Sequence, residues 1–206
     1  MPKVKIPRKS TSIDMTAMCD VAFLLLTFFI LTAKPKIDDP SHATVPPSTN
    51  MAPVADANMM TVSIGGDKLF FSVTEQDVRA EVLKDMGTAY NVPFTPEEIQ
   101  RFSLTQVFGV PMKSMKAFLD TPPDELKNFV QTGIPADTTN NNELFNWIYK
   151  SRQAEKLLHD KDLQMSIKGD SKEQYPEINL VISCLEKQKL FKFDLITALK
   201  TAPSKR

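Results

Sequence analysis

Residues 13–34 read IDMTAMCDVAFLLLTFFILTAK, an apolar run with a carboxylate, Asp20, inside it. The 19 residues from 15 to 33 make about 28 Å of helix at ~1.5 Å per residue, close to the thickness of a bilayer's hydrocarbon core. Lys3, Lys5, Arg8 and Lys9 precede the run, whereas Lys34 and Lys36 behind it are soon offset by Asp38 and Asp39. A basic excess on the N-terminal side holds that end in the cytoplasm. The expectation is one span, residues 15–33, with a cytoplasmic N-terminus at 1–14 and the remainder exported. A cleaved signal peptide shares the basic start and the apolar stretch. The full spanning length, and the lack of a small-x-small cleavage site near LTAKPK, favour an uncleaved anchor.

On a helical wheel at about 100° per residue, Asp20 falls about 40° from Thr16, and Thr27 about 20° from Thr16. Thr16, Asp20 and Thr27 thus form one narrow polar stripe, flanked by Phe23, Leu24 and Leu31. Lipid is a poor neighbour for such a stripe; a partner protein or a water-lined path is a good one. A charged Asp near a helix centre costs about 2.5–3.5 kcal/mol on insertion scales, and a membrane potential supplies about 2.3 kcal/mol per charge per 100 mV. Low dielectric disfavours the ionised carboxylate. From this physics alone two readings stand: an acid that takes up and releases a proton, or a polar residue that pairs two helices.

The pattern in these residues resembles the N-terminal span of the ExbD/TolR family, I-N-V-T-P-x-x-D-V followed by an apolar run. Ile13, Thr16, Asp20 and Val21 match it; Asp14 stands for Asn and Ala17 for Pro. The resemblance implies an inner-membrane, single-pass protein of Gram-negative bacteria that works with an ExbB-like multispan partner ring. Such pairs use the proton-motive force to energise a TonB-like protein that opens outer-membrane transporters; TolR-like members serve a Tol-type envelope system. It further implies that Asp20 carries the proton, with Thr16 also at a motif position, that the chain dimerises, and that its domain contacts TonB-like proteins or peptidoglycan; Thr27, on the same helical face, joins Thr16 in lining that site. The family's V-x-L-P stretch outside the membrane is matched only at Val45 and Pro46. A membrane-anchored periplasmic binding module without proton coupling is the competing reading.

Taking the five basic and two acidic residues of 1–34 from totals of 25 and 25 leaves 20 and 23, a net of −3 for 35–206. A mildly acidic exported part does not suit nucleic acid. Two cysteines, Cys19 and Cys184, give no disulfide framework. His42 and His159 have no neighbouring ligands, so a metal or cofactor is not expected, and no nucleophile–base pair marks an enzyme.

Residues 34–58 carry Pro35, Pro40, Pro46, Pro47 and Pro53 among polar residues, the composition of an extended linker. From 59 to 206 an α+β domain is expected, a small sheet with helices on one face and a helical insertion over about 76–160. MMTVSIGGDKLFFSV reads as a hairpin turning at Gly65, Gly66 and Asp67. A helix follows with Thr74 as N-cap and Val78, Val82, Leu83 and Met86 inward. Thr95, Pro96 and Glu98 form a capping box, and Thr121 with Pro122 repeats that start. Asn142 caps a helix with Leu144, Phe145, Ile148 and Tyr149 on one side. The chain then closes as a strand (163–168), a helix with Ile178, Val181, Ile182 and Leu185 inward, and a strand burying Phe191, Phe193 and Leu195. These two ends, about 1–75 and 160–200, carry the family resemblance.

Overall fold

The computed structural model describes residues 15–33, 47–48, 57–122, 125–126, 129–137, 142–169, 175–196 and 198–199, with the backbone alone at 47–48, 175–176 and 198–199. The chain divides into two compact units, Met1–Ile37 and Asp38–Arg206. The first contains helix α1, Met15–Thr32, whose mean hydropathy of 2.0 and 18-residue length suit it to crossing a membrane.

The second unit has one mixed five-stranded sheet. Its strands are β2 (Met59–Gly65), β3 (Lys68–Val73), β4 (Val107–Phe108), β5 (Gln164–Gly169) and β6 (Asp194–Ile196). They lie in the order β4-β3-β2-β5-β6. β2 is central, antiparallel to β3 and parallel to β5. The hairpin between β2 and β3 turns at Gly66 and Asp67, both with φ near +60° (62° and 57°). That pair of left-handed residues gives the twist a two-residue loop needs.

Helices α2 (Gln76–Tyr90), α3 (Pro96–Leu104), α4 (Met112–Asp120), α5 (Glu143–His159) and α6 (Tyr175–Lys187) complete the unit. Strand register puts Met60, Val62, Ile64, Leu69, Phe71, Val73, Met165 and Ile167 on one sheet face. All eight join one buried cluster with Val82, Leu83, Met86, Phe102, Met115, Phe118, Leu144, Ile148, Val181 and Leu185. The helices therefore share a single core on one face of the sheet, as the sequence predicts. At its centre Trp147 stacks on Phe102 (5.8 Å, 24°) and meets Phe108 edge-on (4.8 Å, 63°). Such ring pairs add about 0.5–1.5 kcal/mol each beyond their buried area.

Several local expectations hold. The capping box at α3 is complete, with Thr95 accepting from the Glu98 N–H and the Glu98 carboxylate accepting from the Thr95 N–H. Asn142 caps α5, its Oδ1 accepting from the Phe145 N–H at 2.6 Å. Val181 and Leu185 of α6 are buried.

Others are corrected. Thr74 does not cap α2: its hydroxyl donates to the Met59 carbonyl (3.1 Å), and Glu75 is the N-cap, its side chain accepting no bond from the helix's own N–H groups. Thr121 ends α4, its hydroxyl donating to the Ala117 carbonyl; beyond it the Glu125 and Leu126 N–H groups donate to the Pro122 carbonyl (2.9 and 3.1 Å), a helical turn where one is expected, with residues 123–124 and 127–128 outside the described residues. On α5, Phe145 is half-buried and Tyr149 exposed, because Trp147, not they, fills the aromatic centre. Phe191, which precedes β6, and Leu195, within that three-residue edge strand, are 73% and 64% exposed, whereas Phe193 packs against the core. In the expected linker, Pro47–Ser48 (β1) forms a two-residue parallel pairing with Ala198–Leu199 (β7).

Candidate functional site

The apolar composition of α1 would suit any anchor; its polar stripe would not. Every residue from 15 to 33 is exposed except Thr27, which is half-buried. Asp20 sits in the first half of the helix as an exposed carboxylate. Thr16 lies one turn before it on the same face, at the i, i+4 spacing that brings side chains together. Thr27 shares the stripe about 10 Å farther along the axis. Its hydroxyl donates to the Leu24 carbonyl at 2.9 Å, and that of Thr32 donates to the Phe28 carbonyl at 2.8 Å. These threonine protons satisfy the helix's own backbone, and the oxygens keep acceptor capacity. What the helix presents is therefore one carboxylate amid largely apolar side chains, with hydroxyl oxygens above and below it. Val45 and Pro46, the other expected motif positions, lie outside the described residues.

A second polar constellation lies in the α+β unit. His159 ends α5, and its ring bridges two carboxylates. Nδ1 lies 3.0 Å from Glu155 Oε2, one turn back on the same helix, and Nε2 lies 3.0 Å from Asp77 Oδ2 at the start of α2. The hydrogen bond with Glu155 foremost, opposed by desolvation and reinforced by the charges of Glu155 and Asp77, holds the imidazole pKa above its ordinary value. Glu155 is fully buried; its second oxygen, together with Ser151 Oγ and Trp147 Nε1 on the same face of α5, has no hydrogen-bond partner among the described residues. The Glu155–His159 spacing of four was visible in the sequence; Asp77, from another helix, was not.

A further buried charge is structural. The Arg79 guanidinium donates to the carbonyls of Val73 (2.8 Å) and Ser103 (2.8 Å), tying the end of β3 to the end of α3. Among the described residues no group of three or more His, Cys, Asp and Glu side chains is placed to hold a metal ion.

A family profile described as biopolymer transport protein ExbD/TolR matches residues 7–200, nearly the whole chain and including the α2–α5 stretch. No curated protein matches the chain. No solved structure matches it.

Proposed function

Since the chain belongs to the ExbD/TolR family of biopolymer transport proteins, we propose that it is the ExbD-like subunit of a proton-driven energy transducer. The family is one of transport rather than of enzymes, and its members work in membrane complexes with partners. In this reading α1 spans the inner membrane with its N-terminus in the cytoplasm, and the α+β unit is periplasmic. The observation that carries it is Asp20, a carboxylate exposed on an otherwise apolar helix of spanning length. Inside a ring of an ExbB-like partner, Asp20 takes a proton from one side and releases it to the other. Transfer is favourable because the neutral acid suits low dielectric and the ionised acid suits a wet face. Thr16 and Thr27 supply hydroxyl oxygens along that path. Two copies of the chain then transmit the change to a TonB-like protein, with Val45 and Pro46 in the connecting segment.

The substitution Asp20→Asn keeps the shape and removes the titratable proton. In cells that depend on this chain it should abolish proton-driven uptake of iron complexes, while Asp20→Glu keeps part of it. Uptake at the normal rate with Asp20→Asn would overturn the proposal. Loss of outer-membrane integrity with intact iron uptake would assign the chain to a Tol-type system instead.

A further inference from the structure

We propose that Glu155, His159 and Asp77 form a proton-operated clasp that fastens the end of α5 to the start of α2. Carboxylates only accept hydrogen bonds, and a neutral imidazole has a single N–H. With both carboxylates ionised, the two 3.0 Å contacts need the doubly protonated ring. When the ring loses a proton, one contact must go. Glu155 is fully buried and an unpaired buried carboxylate is costly, so the remaining N–H stays with it. Asp77, with 56% of its side chain exposed, is the partner that water can solvate, so the link between helices is the one released.

The charged groups facing the ring are Asp77 from α2 and Glu155 from its own helix; Lys156 beside it pairs with Asp160 at 2.9 Å. The raised imidazole pKa sets the direction: the clasp is closed at lower pH and opens as pH rises through that raised value.

The clasp braces a particular place. Asn58 is the residue through which the chain leads into β2. Its N–H donates to Glu75 Oε1 (3.1 Å), just before α2, and its carbonyl accepts from the N–H of Gln164 (2.8 Å), the first residue of β5. Asp77 lies two residues beyond Glu75, and His159 ends the helix whose chain continues into β5. Local proton concentration thus sets how firmly the start of the domain is held, and this does not depend on what Asp20 does.

The chain has two histidines, so in full-length protein in detergent, labelled with nitrogen-15 in histidine, a His42→Gln variant assigns the His159 signals. His159 should titrate above the ordinary histidine value of about 6.5. Asp77→Asn should move its midpoint down toward that value. In the unsubstituted protein the hydrogen-exchange protection factor of the Gln164 amide should fall several-fold as pH passes the His159 midpoint. In Asp77→Asn it should stay flat, because an amide serves either ring state, accepting from N–H or donating to bare nitrogen. Titration of His159 at or below about 6.5 would overturn the clasp, and that measurement needs no Asp77 variant. So would an unmoved midpoint in Asp77→Asn, or Gln164 protection indifferent to pH in the unsubstituted protein.

Discussion

Replacing Arg79 by Met tests whether the buried guanidinium organises the helical layer. The residue is 7% exposed. It makes two short bonds to main-chain carbonyls, at 2.8 Å each, and a longer one to Thr74 at 3.4 Å. Hydrogen bonds to charged groups contribute about 1.5–3 kcal/mol each, so the two short ones give about 3–6 kcal/mol. Part of this is returned when the buried cation is removed, since burial, more than the neighbouring Glu75 charge, governs its environment and depresses its pKa. A net loss of about 2–3 kcal/mol is expected. Urea unfolding of the full-length protein in detergent, followed by circular dichroism, measures it. With a slope of about 2 kcal/mol per molar urea, the midpoint should drop by about 1–1.5 M at unchanged slope. Lys84→Met on the same helix is the control. Its side chain is 53% exposed and pairs, among the described residues, with Glu81, so its removal should change stability by less than about 0.5 kcal/mol. If the two variants unfold at the same urea concentration, the carbonyl clamp does not stabilise the fold and the reasoning fails.

Gly109→Ala should destabilise by about 1–3 kcal/mol through overpacking, read as a lower thermal midpoint, because its Cβ would stand 2.4 Å from the Phe70 ring and 3.1 Å from the Leu69 carbonyl oxygen. Thr95→Ala breaks the capping box of α3 and should lose about 1 kcal/mol in urea unfolding. Cys184 is 1% exposed and burial pushes its thiol pKa up; a water-soluble maleimide should modify it only as the domain unfolds, tracking the unfolding curve by mass spectrometry.

Features set by neighbours in sequence were legible there. The polar stripe of α1 needs only helical periodicity, and the Gly66–Asp67 turn and the Thr95 cap need only local backbone chemistry. Features set by distant partners were not. Thr74 looked like a cap because its pairing with Met59 across the hairpin end cannot be seen from spacing. Tyr149 looked inward because apolar side chains are counted before polar ones, yet Ser151 and Glu155 lie on the buried side of α5. Pro47–Ser48 meets Ala198–Leu199 from the far end of the chain, and nothing in either dipeptide announces it. The same limit divides the two polar constellations. Asp20 stands out by being wrong for its own surroundings, whereas Asp77 is an ordinary first-turn acid until α5 is packed against it.

The position of Trp147 has a practical consequence. It is the chain's single tryptophan, and it is sealed among Phe71, Phe102 and Phe108 where β3, α3, β4 and α5 converge. An indole so enclosed, with its Nε1 unpartnered among the described residues, emits at short wavelength and shifts to the red when water reaches it. Helix α1 holds no tryptophan, so transfer between detergent and lipid leaves this emission untouched. The protein therefore has a built-in optical reporter, which follows the folded domain of the purified chain in detergent or lipid without any label.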